Sequence, residues 1–148
     1  MKITYKGDYA LKTILDLAIH YNQGVITIHD LAKRADMPLK FLEQVLLELK
    51  KGGFVDSKRG VNGGYFLAKP PKEIKVGDVV RFIEGPIEPI ACASRGTAYK
   101  GCADIYKCAF KHIWCEVADA TVKIVDNITF EDLARKSKDK DKVISYHI

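Results

Sequence analysis

The run from Met37 to Ala68, MPLKFLEQVLLELKKGGFVDSKRGVNGGYFLA, limits what this chain can fold into more than any other stretch. Leu42, Val45, Leu46 and Leu49 recur at i, i+3, i+4 and i+7, which places them on one helical stripe that must be buried. Lys40, Glu43 and Gln44 fall on the other side. Pro38 suits the first helical position, where its missing N–H is no loss, and Gly52-Gly53 permits the positive φ that ends a helix. Phe54–Ser57 and Tyr65–Ala68 are β-prone runs. Between them Lys58-Arg59-Gly60-Val61-Asn62-Gly63-Gly64 forms a flexible cationic loop suited to lie against a phosphate backbone. The stretch therefore predicts a helix followed by a hairpin with a glycine-rich tip.

A helix and a hairpin alone are more often plain core than a recognition surface, and the upstream residues reverse that balance. Thr27-Ile28-His29-Asp30 has the Ser/Thr-x-x-acid form of a helix N-cap, with Leu31, Ala32 and Ala35 giving that helix a buried side. Asp36-Met37 then turns tightly into Pro38. Short helix, turn, second helix and hairpin is the order of a winged helix-turn-helix, whose second helix enters the major groove. The expected fold is mainly α with a small β-hairpin wing, extended by a long C-terminal dimerisation helix. Thr27, Lys40, Glu43, Gln44, Lys58, Arg59 and Gly60 are the candidate contacts to double-stranded DNA.

Charge supports this placement. Residues 1–75 hold 13 Lys/Arg against 8 Asp/Glu, while residues 76–148 hold 11 of each, so the net +5 sits with the helix-turn-helix and wing. An excess confined to one half favours a nucleic-acid partner. No run approaches the roughly 18 apolar residues of a membrane span and the opening residues form no secretory signal, so a cytoplasmic protein without a membrane partner is expected.

Along the chain, Ala10, Ile14, Leu17, Ala18 and Tyr21 mark a first helix over Tyr9–Tyr21 with Asp8 as its N-cap. Val25-Ile26 is a possible third strand. Lys69-Pro70-Pro71-Lys72 reads as a rigid linker, which puts the DNA-binding domain at residues 1–70 and a linker with a connecting helix at 71–91. Val76, Val79, Val80 and Ile83 form that helix, closed by Gly85-Pro86. A cysteine-rich loop occupies 92–108. Residues 109–136 hold a helix of roughly 28 Å and a short terminal helix capped by Thr129 and Asp132. On the long helix Ile113, Val117, Ala120, Ile124 and Ile128 make one stripe, and Trp114, Ala118, Thr121 and Val125 a second. Two apolar stripes exceed what a small monomer buries, which predicts a homodimer. Residues 137–148, with alternating charge and no core residue, read as a mobile tail.

The four cysteines are spaced Cys92-x9-Cys102-x5-Cys108-x6-Cys115. A reducing compartment disfavours standing disulfides, and structural zinc favours close Cys-x2-4-Cys pairs that are absent here. Wider spacings from a loop suit an iron-sulfur cluster, with zinc remaining an alternative. Cys115 also reads as a small buried apolar residue. Without a Cys-x-x-Cys motif, nucleotide fingerprint or acid-base pair, the cysteines do not indicate an enzyme.

The run LEQVLLELKKGGFVDSKRGVNGGYFLAKPPKEI, with Asp8, three of the cysteines and the closing DNITFEDL, resembles the Rrf-type family of bacterial winged helix-turn-helix transcription regulators, and within it the branch that binds an iron-sulfur cluster. The resemblance reaches to about Arg135. It implies a homodimeric regulator, bound to a near-palindromic operator, whose cluster ([2Fe-2S] or [4Fe-4S]) adjusts DNA affinity in response to iron-sulfur status, nitric oxide or redox state. Cys92, Cys102 and Cys108 match the family's three cysteine ligands. Some members carry a histidine ligand three residues after the third cysteine, but here Lys111 stands there and His112 follows. Others use the aspartate matching Asp8, from the partner subunit. Asp8 and His112 are thus the two candidates for a fourth ligand. Members without cluster cysteines leave open a cluster-free or zinc/thiol-based regulator of cysteine metabolism.

Overall fold

A computed structural model describes residues 1–94, 99–102 and 106–145, with the side chains of 141–145 outside the description. Six helices and one hairpin follow in the order α1 (Tyr5–Ile19), α2 (Ile28–Ala35), α3 (Leu39–Lys51), β1 (Val55–Lys58), β2 (Gly64–Leu67), α4 (Val76–Glu84), α5 (Ala109–Asp126) and α6 (Phe130–Ser145). This is the mainly helical, hairpin-winged architecture that the hydrophobic pattern predicts. Leu42, Val45, Leu46 and Leu49 of α3 are all fully buried, so the predicted stripe is the one that packs. Pro38 lies just before the first helical residue, and the chain leaves α3 through Gly53 at φ 72°.

The strands pair antiparallel in the register Val55↔Leu67, Asp56↔Phe66, Ser57↔Tyr65 and Lys58↔Gly64. They are displaced by one residue from the predicted runs because Phe54 still belongs to the helix exit, where its N–H donates to Leu49 O at 3.0 Å. Val25-Ile26 does not form a full strand. Ile26 makes a single bridge to Tyr65, with N–H···O distances of 2.9 and 2.8 Å.

The start of α1 corrects the predicted Asp8 cap. Thr4 is the N-cap, and Asp8 lies inside the helix. Thr4 Oγ1 accepts from Gly7 N at 3.3 Å, while Thr4 N and Oγ1 donate to Glu84 Oε1 of α4 at 2.8 and 2.7 Å. Gly7 is tolerated within the helix because a Cβ there would overlap the Glu84 carboxylate. Sequence periodicity places the helix start too late because its first turn is secured by a residue 80 positions away.

The two other predicted caps form locally. Thr27 Oγ1 accepts from Asp30 N at 3.2 Å and donates to Asp30 Oδ2 at 2.8 Å. Thr129 and Asp132 repeat that exchange at 3.1 and 2.8 Å, and Thr129 N also donates to Asp132 Oδ2 at 3.1 Å. Each pair satisfies orphan donors at a helix N-terminus.

One buried cluster joins Ala10, Ile14 and Leu17 of α1, the α3 stripe, and Phe54, Val55 and Leu67 of the hairpin to Ile74, Val79, Phe130 and Ala134. The core therefore extends past Pro70-Pro71, where Pro71–Glu73 forms one 3-10 turn with Pro71 buried. Val76 N donates to Ile128 O and Phe130 N to Ile74 O, both at 3.0 Å, which draws the beginning of α6 back against the linker. α6 then continues to Ser145, so residues 138–142 are helical where a tail is predicted.

Arg81 clamps α4 to the end of α5 through two bonds to Asp126, at 2.8 and 2.7 Å. The Arg81 hydrogen bonds hold the Asp126 carboxyl below its ordinary range. The folded pKa is thus below the unfolded value of about 3.9, so this stabilisation is complete above that pH and disappears as pH falls through the folded value. Because both side chains are about one-third exposed, Asp126→Asn is expected to cost about 1 kcal/mol at pH 7. Urea unfolding of the two proteins should diverge at pH 7 and converge only as pH falls below the ordinary carboxylate range.

Candidate nucleic-acid interface and cysteine segment

The buried stripe of α3 fixes the direction of its other face. Lys40, Glu43 and Gln44 are exposed, and none of their side chains has a hydrogen bond or ion pair among the described residues. Leu47 continues this row one turn further and is also exposed. Its signal was present in the sequence as an apolar residue off the buried stripe, a type that contacts thymine methyl groups in the major groove.

The wing lies at the far end of α3. Lys50 pairs with Asp56 at 3.2 Å and donates to Ser57 Oγ at 2.7 Å, tying the helix to β1. Beyond that tie, Lys58, Arg59, Gly60 and Val61 are exposed. Neither Lys58 nor Arg59 has a side-chain partner among the described residues. Gly60 turns the tip at φ 112° and accepts from Gly63 N at 3.0 Å. A Cβ at Gly63 would collide with backbone oxygens of Lys58 and Gly60, so a tight tip requires glycine there. Thr27 is exposed, but its hydroxyl is already engaged in capping α2.

Cys92 sits in the 3-10 turn Ala91–Ala93, which packs against α5, and Cys108 is the residue preceding α5. Cys102 is exposed, and Cys92, Cys108 and Cys115 are half-buried. All four are free thiols. Residues 95–98 and 103–105 lie outside the described residues. Three thiols from one segment are a donor set chemically suited to iron-sulfur ligation, and two of them are anchored beside α5. Among the described residues, however, no three His, Cys, Asp or Glu side chains converge closely enough to hold a metal ion.

Of the two fourth-ligand candidates, Asp8 is half-exposed and pairs with Lys12 at 2.6 Å. That hydrogen bond holds the lysine ammonium above its ordinary pKa. His112 is exposed on the first turn of α5, 3.6 Å from Glu116.

The predicted dimerisation helix leaves most of its apolar surface uncovered. Only Ala118 of α5 is buried, whereas Phe110 and Ile124 are 65% and 62% exposed, and Ile113, Trp114 and Val117 are also exposed. Among the described residues no helix is long and apolar enough to cross a membrane.

Residues 3–136 match the Rrf2 family, described as an iron-dependent transcriptional regulator. The chain is 39% identical over 137 residues to an rrf2-like HTH-type protein of Rhodobacter capsulatus, covering 88% of this chain and 91% of that one. It is 33% identical over 138 residues to the HTH-type transcriptional regulator IscR of Pectobacterium carotovorum, covering 93% and 82%. Among solved structures, CymR, the global cysteine regulator of B. subtilis, superposes with a TM-score of 0.78 at 32% identity, covering 92% of this chain and 98% of that one. IscR of T. potens does so with a TM-score of 0.74 at 31% identity, covering 93% and 88%. Since the match runs through α3, the wing and the helices on both sides of the cysteine segment, the chain belongs to the Rrf2 family of transcriptional regulators and is not an enzyme.

Proposed function

We propose that this protein is a cytoplasmic, homodimeric DNA-binding regulator whose operator affinity is set by an iron-sulfur cluster held by Cys92, Cys102 and Cys108. The observation that carries the DNA-binding part is the unpartnered polar row of α3 beside a cationic wing tip. Lys40, Glu43 and Gln44 read base edges in the major groove, with Thr27 at the flank. Arg59 enters the adjacent minor groove while Lys58 and Gly60 follow the phosphates. Pairing α5 with its copy relates two reading helices by a two-fold axis, so the operator is near-palindromic with half-sites about one helical turn, or a multiple, apart.

When bound, the cluster supplies redox-active and nitric-oxide-reactive iron. The three thiols hold it, and Asp8 of the partner subunit is favoured over His112 as the fourth ligand. That choice joins one subunit's cysteine segment to the helix that packs against the other subunit's α3. A shift at the cysteine segment then changes the separation of the reading helices, to which fixed half-sites are sensitive. A second reading, a cluster-free or zinc/thiol regulator of cysteine metabolism, is favoured by the likeness to CymR.

The test combines anaerobic purification, iron, sulfide and zinc analysis, and binding at fixed salt to a duplex selected from a random library. A brown protein with sulfide-bound iron supports the first reading, and a colourless one with stoichiometric zinc supports the second. Arg59→Ala should weaken binding roughly 10- to 100-fold. Glu43→Ala should mainly broaden sequence choice, because a carboxylate rejects wrong bases by repulsion. Cys102→Ala should remain a folded dimer with altered affinity, and wild-type affinity in that variant would remove the sensing role. A normal cluster spectrum in Asp8→Ala with its loss in His112→Ala would transfer the ligand role to His112.

A further inference from the structure

The first turn of α1 runs beside the reading helix. Tyr9 meets Phe41 edge to face with ring centroids 5.3 Å apart, and Lys6 reaches Glu48 at 3.2 Å. Two contacts on α3, separated by seven residues, hold the α1 N-terminus along one flank of that helix. Tyr5 stands four residues before Tyr9, so it projects from the same face, with its ring centroid 6.5 Å from that of Tyr9. It lines a shallow depression with Tyr9, Pro38, Lys40, Phe41 and Gln44. Its side is therefore shared with two residues of the base-reading row.

Tyr5 is 79% exposed, and its hydroxyl has no hydrogen-bond partner among the described residues. Packing does not account for so exposed a ring, since it buries little apolar area. The major groove is about 12 Å wide, so a side chain flanking the base-reading row of an inserted helix meets the groove wall, which is phosphate backbone. Tyrosine hydroxyls are among the groups that donate to phosphate oxygens and fix the register of a protein on the duplex.

We propose that Tyr5 is a DNA-positioning residue whose hydroxyl donates to a backbone phosphate at the edge of the groove that α3 occupies. This rests on α3 being the reading helix. The contact adds affinity without reading sequence. Because the phenol carries no charge, its loss leaves the salt dependence of binding unchanged, unlike loss of a lysine or arginine contact.

The experiment compares wild type, Tyr5→Phe, Tyr5→Ala and Gln44→Ala by fluorescence anisotropy on the library-selected duplex and on an unrelated duplex, over a salt series. Tyr5→Phe keeps the ring and its tilted contact with Tyr9, so its melting temperature should match wild type. It is expected to bind both duplexes about three- to tenfold more weakly with an unchanged salt slope. In selected duplexes carrying one neutral methylphosphonate each, one flanking position should weaken wild type but leave Tyr5→Phe unaffected. Wild-type binding by Tyr5→Phe, with no methylphosphonate position sensitive to the hydroxyl, overturns the proposal. A Tyr5→Ala defect confined to dimer stability also overturns it, because the face would then be covered by the partner subunit. If Gln44→Ala binds the selected duplex as wild type does, the reading of α3 fails instead, whatever Tyr5→Phe does.

Discussion

Phe130→Ala should lower the free energy of unfolding by about 3–5 kcal/mol, enough to threaten a domain with ordinary stability. Phe130 is fully buried and the largest of the completely enclosed side chains. It opens α6, which packs against α1, and it belongs to the same buried cluster as Ile14 of α1 and Leu46 of α3. Removing the ring leaves a cavity among side chains on α helices that are held elsewhere and collapse only partly. The expected readout is one cooperative urea transition at a lower midpoint, because α6 and the helix-turn-helix share that core. Two separated transitions would mean that the DNA-binding half folds independently of α6.

Val117→Glu should have the largest effect on DNA binding. Val117 lies midway along the exposed stripe Ile113, Val117 and Ile124 of α5, and in a single subunit it is 43% exposed. A carboxylate there costs an isolated subunit little. In a two-fold dimer each subunit would contribute one, so two unpaired charges would enter an apolar interface. The dimer dissociation constant is expected to rise at least about 100-fold, equivalent to about 3 kcal/mol. Affinity for a near-palindromic duplex should fall with it, because each subunit then binds one half-site without help from the other. Sedimentation equilibrium and anisotropy measure the two effects, and an unchanged melting temperature at low concentration would show that the subunit itself remains folded. A dimer that persists with full DNA affinity would place the interface elsewhere.

The candidate site was legible in the sequence to the extent that its chemistry was local. Lys40, Glu43 and Gln44 could be assigned to the outer face of α3 because Leu42, Val45, Leu46 and Leu49 claim the inner one. The wing tip was legible because its glycines and cations are contiguous. Cys92, Cys102 and Cys108 were identifiable as donors, but intervals of nine and five residues leave their mutual distances open. The exposure of the Tyr5 ring and its place beside Gln44 were not legible, because they depend on how α1 packs.

Periodicity and capping act over three or four residues, so the sequence by itself determined α3, the hairpin, the Thr27–Asp30 and Thr129–Asp132 caps, and the apolar excess of α5. Only the tertiary structure decided where α1 begins, how α4 holds α5, and that Phe130 completes the core. The first two outcomes rest on Thr4 with Glu84 and Arg81 with Asp126, pairs 80 and 45 residues apart. Nothing in either local segment encodes such a partner. A carboxylate caps a distant helix, or an aromatic ring fills a distant core, only after folding has paid the loop-closure entropy that brings the two together.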